Sequence, residues 1–467
     1  MLLAGARQFN QPGSNMRRSL YLAAAVLALS TASAFAEETE FKATLAGHAI
    51  LPANTIIPAP ENAPEHLRTS GKFTTADRKR AEGLATVPGT DGLRPTGLAL
   101  PFDGQPVQGF SGIKSMGDGT FWSLSDNGFG NKLNSTDAAL MLHLISFDWD
   151  NGAVERKKTL FLTDPDRKAP FPIVLEGSDT RFLTGGDFDV ESIQPVADGF
   201  WVGEEFGPYL LKFDTEGRLT DVVETLVEGE PVRSPDHPAL TLPGNPTAKN
   251  PAFNLKRSGG YEGLAMSKDG AKLYGLLEGP RYLADGEVEQ ADGKTALRIV
   301  EFDAANKQWT GRSWLYPLAE GGEAIGDFNM ISPTEALVIE RDNGAGKADK
   351  ACTDASAPKP DCFARPAKLK RIYKIEMNDE NSGKAVRKVG YIDLMKIADP
   401  DNKKRQGGGE GFYDMPFVTI EDVDLVDDSH IVVGNDNNLP FSAGRAIDKA
   451  DDNEFVILEV TDFLKAE

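Results

Sequence analysis

VESIQPVADGFWVGEEFGPYLLKFD runs from Val190 to Asp214. An apolar run reaches Val196, Asp198-Gly199 interrupts it, and a second run ends in Glu204-Glu205. A third run, Tyr209 to Phe213, follows. Asp-Gly between two apolar runs marks a hairpin, because glycine supplies the positive φ that a tight turn requires. The stretch therefore reads as strand, turn, strand, acidic loop, strand.

The same order recurs along the chain. The copies open on FSGI (110–113), VESI (190–193), YEGL (261–264), IGDF (325–328) and IEDV (420–423). Turns follow at Asp118-Gly119, Asp198-Gly199, Asp269-Gly270, Ser332-Pro333 and Asp428-Ser429. The second strands end in one matched slot, held by Asp126, Glu205, Glu278, Arg341 and Asp436. Third strands recur as LHLISFD, YLLKFD, LRIVEFD, RIYKIE and FVILEV, with the alternation of half-buried strands. Adding a fourth strand per copy gives the repeating unit of an all-β propeller. A β-sandwich with coincidental turns would explain neither the fivefold order nor the matched slot.

Six blades are expected, with seven as the alternative. FKATLAGHAIL and GLALPF, before the first copy, would supply strands of the sixth, shared with the C-terminal EFVILEVTDF. The copies are spaced too widely for compact blades of roughly 40–45 residues. Loops are therefore inserted, at 164–184, 225–257, 345–370 and 399–412.

The N-terminus reads as an export signal. Arg17 and Arg18 precede an apolar run from Leu20 to Leu29, and small residues at Ala34 and Ala36 set a cleavage point before Glu37. Met16 is an alternative start. Residues 1–36 are thus expected to be a signal peptide and 37–467 one propeller with a core over about 96–463, periplasmic or secreted, monomeric and without a membrane anchor. Cleavage removes three arginines and no acids, leaving 47 − 71 = −24. Such a surface repels nucleic acid and anionic membranes and attracts cations. Cys352 and Cys362 would close a small loop in an oxidising compartment, or remain as free thiols.

If the first element of each copy lines a central channel, Glu191, Glu262 and Glu421 face one axis. The loops closing the second strands would add Asp126, Glu204, Glu205, Glu278, Asp342 and Asp436. Asp187, Asp189 and Glu191 alternate, so they would share one strand face as a ladder of like charges. Crowded carboxylates need a counter-charge, and oxygen-only donors suit Ca²⁺. Asn127, Asn343, Asn435 and Asn437 would add amide oxygens. The five histidines show no zinc-ligand spacing, and no nucleophile elbow, P-loop or dinucleotide fingerprint occurs. Arg341 stands in a slot that is acidic elsewhere and would grip an anion; Arg281, Arg445 and Lys114 are further basic residues near acidic slots.

GFSGIKSMGDGTFWSLSDNGFG, DFDVESIQPVADGFWVGEEFGPYLLKFD, GYEGLAMSKDG and TIEDVDLVDDSHIVVGNDNNLPF together resemble the bacterial phytase-like domain family, described as esterase-like activity of phytase. The resemblance covers roughly Thr96 to Phe463. It implies an exported propeller with Ca²⁺-dependent phosphoester hydrolysis; the residues themselves are read as serving a phosphoester or a carboxyl ester. Unlike β-propeller phytases, the chain has no evident Lys/Arg-rich phosphate cleft. On this reading Glu191, Glu204, Glu262, Asp126, Asp342, Glu421 and Asp436 would ligate calcium. Glu205, Arg341 and Glu278 would act on a small anionic or ester substrate. The alternatives are a calcium-stabilised binding propeller without catalysis and a lactonase-type hydrolase.

Overall fold

In a computed structural model, which describes residues 38–72, 83–89, 92–243 and 246–467, the copies form a propeller. The expected signal and its cleavage point lie outside the described residues. Strand β1 (Thr44–Leu51) precedes the copies. The first blade is β2 (Phe110–Ser115), β3 (Thr120–Ser125), β4 (Met141–Asp148) and β5 (Ala153–Phe161). The second is β6 (Val190–Val196), β7 (Gly199–Glu204), β8 (Tyr209–Phe213) and β9 (Leu219–Glu224). The third is β10 (Tyr261–Met266), β11 (Lys272–Leu277), β12 (Lys294–Asp303) and β13 (Gln308–Pro317). The fourth is β14 (Ala324–Met330), β15 (Glu335–Arg341), β16 (Lys370–Glu376) and β17 (Arg387–Asp393). The fifth has β18 (Asp422–Leu425), β19 (His430–Gly434) and β20 (Asn453–Glu459), and β1 pairs antiparallel with β20 to complete it.

The all-β propeller expectation holds, and the blade count is corrected to five among the described residues. FKATLAGHAIL does pair with the C-terminal strand, but as the missing outer strand of the fifth blade. GLALPF forms no strand; its Leu100 and Phe102 pack with Phe129 and Leu439 in a cluster of their own. Inner strands touch in the cycle β2, β6, β10, β14, β18 and back to β2. Each neighbouring pair of blades shares one apolar cluster, giving five in all. Strand β7 shows how period-two alternation feeds two of them: Phe200 and Val202 face the first blade, and Trp201 faces the third.

Five inner strands leave a narrow axis, and the third motif position reflects this. A Cβ on Gly112 would lie 2.9 Å from the Ser192 Cα, and one on Gly263 would lie 2.5 Å from the Phe328 Cβ. At the second motif position of the fourth copy, a Cβ on Gly326 would stand 1.9 Å from the Ile420 carbonyl oxygen. Gly326→Ala is expected to force two inner strands apart and cost about 2 kcal/mol, read as a lower urea midpoint. An unchanged midpoint would contradict this packing.

The ladder slips at the motif in four blades. Gly112, Glu191, Glu262 and the pair Gly326-Asp327 have no cross-strand partner, and in the fifth blade pairing begins only at Asp422. Such bulges re-aim a side chain. Because successive strands are antiparallel, the motifs, the ends of the second strands and the points where the long loops leave and re-enter the blades lie at one end of the propeller. The tight turns lie at the other. No helix among the described residues is long and apolar enough to cross a membrane. Cys352 and Cys362 are disulfide-bonded, fastening the loop between β15 and β16.

Candidate functional site

At the long-loop end, the bulged glutamates and the second-strand ends converge. Asp189, Glu191 and Glu205, all buried, bring one carboxylate oxygen each within 4.8 Å of one another. Asp189 acts directly on the neighbouring Glu191, and Glu421 on Glu262. Asn127 Nδ2 donates to Asp189 at 2.6 Å. Two cations enter opposite this group. Arg341 Nη2 lies 3.4 Å from Glu278 and 3.3 Å from Glu421, and Lys256 Nζ lies 2.8 Å from Glu278. Asp126 and Asp436 complete the ring, each acting electrostatically on Glu421 or being acted on by it.

Eight carboxylates (Asp126, Asp189, Glu191, Glu205, Glu262, Glu278, Glu421, Asp436) therefore share the mouth with two cations, Arg341 and Lys256. Two unit charges 4.8 Å apart repel by roughly 3.5 kcal/mol at an effective dielectric of 20. Three such pairs reach about 10 kcal/mol, comparable to a whole domain's stability. The group cannot stay ionised unaided. Burial first, and neighbouring carboxylates second, push Asp126, Glu191, Glu205, Glu262 and Asp436 well above the usual carboxylate range. Arg341 keeps its charge against the opposing effect of burial, because Glu421, Glu278 and Glu262 favour it.

Two buried polar atoms here have no hydrogen-bond partner: Glu205 Oε1, an acceptor, and Arg341 Nε, a donor. A buried polar group is costly when unpaired. An orphan acceptor among three converging carboxylates fits a divalent cation. The donor set is oxygen throughout, which favours a hard ion. His143, which is remote from zinc-type company, bonds Ser125 and Thr159 instead.

Two expected ligands are corrected. Glu204 folds back on its own loop, accepting from the backbone N–H of Phe206, Gly207 and Tyr209, and burial pushes its pKa up to about 8. Asp342 accepts from the N–H of Gly344, Lys368 and Leu369 and pairs with Lys370 at 3.1 Å. Asp187, expected beside Asp189 and Glu191 on one strand face, instead accepts from the backbone N–H of Val174 and Thr184. The four amide oxygens are already engaged: Asn127 by Phe129 and Gly130, Asn343 by Arg341, Asn435 by Glu454 and Asn437 by Gly109. Lys114 pairs with Asp424, and Arg445 with Glu454 and Asp414.

Asp189 joins the group in their place, and its signal was its parity with Glu191. Lys256 gave no signal, because it comes from the end of the 225–257 insertion.

The fold and this mouth define a five-bladed propeller with a carboxylate-lined axial site. The chain belongs to the phytase-like family, described as esterase-like activity of phytase, whose model matches residues 105–439. A protein of Arthroderma benhamiae described as an uncharacterized secreted protein is 26% identical over 228 residues, 44% of this chain and 44% of that protein. The match thus spans less than half of that relative. Among solved structures, the arabinanase Arb43A of Bacillus subtilis is 12% identical with a TM-score of 0.34, over 75% of this chain and 92% of that one. The Dos1 propeller is 10% identical with a TM-score of 0.30, over 91% and 94%. At these scores the likeness carries no functional argument.

Proposed function

We propose that this protein is an exported, Ca²⁺-dependent hydrolase of phosphoesters or carboxyl esters. The observation that carries the reading is the pair of unpaired buried atoms, Glu205 Oε1 and Arg341 Nε, in one mouth. Asp189, Glu191 and Glu205 would hold the ion, with Glu262, Glu421, Asp126 and Asp436 as the surrounding carboxylates. Bound there, Ca²⁺ would supply Lewis-acid polarisation of the ester and a more acidic water. Arg341 donates from Nε to the oxygen on which negative charge develops. Glu278 positions both Arg341 and Lys256. The neighbouring carboxylates of Glu262 and Glu421 offer a place to receive a proton beside that arginine. Export is supported by the N-terminal sequence and by the description of the Arthroderma relative.

The test is turnover of generic phosphate and acyl esters by the purified protein, with and without chelator. Activity is expected only with calcium. Arg341→Gln should lower kcat about a hundredfold while leaving calcium binding in place. No chelator-sensitive turnover on any ester would end this reading.

A further inference from the structure

Beside the mouth, residues 230–233 and 248–254 and the loop after β11 line an open cleft of about 500 Å³. Its charged lining is Arg233, Lys249 and Arg281 against the single carboxylate of Glu230. Arg233 is committed to Glu224, with its Nε at 3.0 Å and Nη2 at 2.8 Å. Arg281 is only loosely paired. Its Nε is buried without a hydrogen-bond partner, and its nearest carboxylate, Glu289, lies 3.8 Å from Nη1 and is already bonded by Arg298. Lys249 has no carboxylate partner among the described residues, and the loop bearing Gly286 packs against its stem. Tyr282 and Phe253, in edge contact at 6.2 Å, form an apolar wall. In a chain of formal charge −21, a cleft lined by three cations, of which Lys249 is exposed and Arg281 keeps an unsatisfied donor, is a place where an anion could be held.

The cleft is wired to the mouth by backbone. Glu278 N–H donates to the Gly260 carbonyl at 2.8 Å, Gly279 to Gly259 at 2.9 Å, and Tyr282 to Asn254 at 2.8 Å. This ribbon carries Glu278 and Lys256 at its mouth end and Arg281 and Asn254 at its cleft end. Glu278 and Arg281 are three residues apart, so their Cα atoms lie within roughly 11 Å.

We infer that the cleft is an anion subsite in which Arg281 and Lys249 hold a second anionic group of the substrate, a phosphate or a carboxylate, while the mouth holds the ester. A guanidinium grips either oxyanion with two parallel hydrogen bonds. The volume admits the carbon skeleton that bears the anion, not the anion alone. The substrate class is therefore an ester with a further acidic group about one sugar ring away. This deepens the proposed hydrolase reading and rests on it for the word substrate; the anion site itself stands apart.

The experiment separates the two. Inorganic phosphate is titrated by calorimetry into the full mature chain with chelator present, so that no metal can bind it. Arg281→Gln should weaken binding tenfold or more, the value of one charge-assisted hydrogen bond. Lys249→Gln, at an exposed side chain whose loss cannot unfold the chain, should weaken it severalfold. Equal affinity in wild type and both variants, or no binding by wild type, overturns the subsite. In the calcium-loaded protein, Arg281→Gln should raise KM about tenfold for a bisphosphorylated substrate and leave kcat within twofold. KM for p-nitrophenyl acetate should not move. Phosphate binding that depends on Arg281 in a protein without turnover would retain the anion site and remove the hydrolase. Turnover whose KM ignores Arg281 would do the reverse.

Discussion

Glu205→Gln is expected to raise the stability of the metal-free protein and to abolish its stabilisation by calcium. In the absence of a cation, Glu205 is a buried carboxylate within 4.8 Å of oxygens of Asp189 and Glu191. Neutralising it relieves two repulsive pairs, each roughly 3.5 kcal/mol if both partners are charged. Protonation already relieves part of this, since burial pushes Glu205 and Glu191 upward. The net gain should be about 2 kcal/mol, a rise of a few degrees in Tm. With calcium the order reverses. An ion that binds only the folded state at a hundred times its Kd adds about 2.7 kcal/mol, and the variant forgoes most of it. Thermal denaturation of both proteins, with calcium and with chelator, should give crossing orders. A variant less stable under both conditions would show that Glu205 is structural. A wild type indifferent to calcium would remove the metal. Activity, where it exists, should fall at least a hundredfold in the variant.

The same residues explain how far the sequence could be read. Turn residues and alternation are local, so Asp198-Gly199 and Phe200-Trp201-Val202 announced a hairpin buried on both faces. Repetition announced a propeller. The blade count is non-local: it depended on whether Thr44–Leu51 opened a sheet or closed one, which is a pairing over some 400 residues. A narrow axis left its mark in Gly112, Gly263 and Gly326, but a glycine in a strand reads equally as a bulge. Glu191, Glu262 and Glu421 were found because a charge between apolar strand residues needs a reason. Glu204 and Asp342 misled because they stand one place from the matched slot. A one-residue step along a strand reverses the side chain, and their carboxylates turn into their own loops. Lys256 and Lys249 come from an insertion, where spacing carries no register, so the cleft formed between two loops has no local signature in the sequence.

The second large effect lies where the ring closes. Glu454 on β20 is fully buried, with Arg445 Nε at 2.8 Å, Tyr413 Oη at 2.6 Å and Gln406 Nε2 at 2.8 Å. His48 on β1 approaches it to 3.1 Å, and Arg445 also holds Asp414 at 2.8 Å. The carboxylate thus ties the first strand, the last strand and two loops into one network. Arg445→Met leaves that charge buried and stripped of its cation, at a cost of 3–5 kcal/mol on the order of other buried pairs. Glu454→Gln added to Arg445→Met should recover part of the loss, because the orphan charge goes with it. A pH dependence follows. Burial opposes ionisation of Glu454, yet Arg445 holds its pKa down at about 2, below the ordinary 4.5. A carboxylate depressed in the folded state stabilises above its unfolded pKa, and the contribution is lost as pH falls through the folded one. Wild type should therefore lose about 3 kcal/mol between pH 4.5 and about 2 from this group, and Arg445→Met should lack that step. The gap between the two proteins, measured by urea denaturation, should narrow as the solution is acidified. A gap constant from pH 7 to pH 3 would mean that Arg445 stabilises through packing on Tyr413 and Phe417, with its charge contributing nothing to the closure.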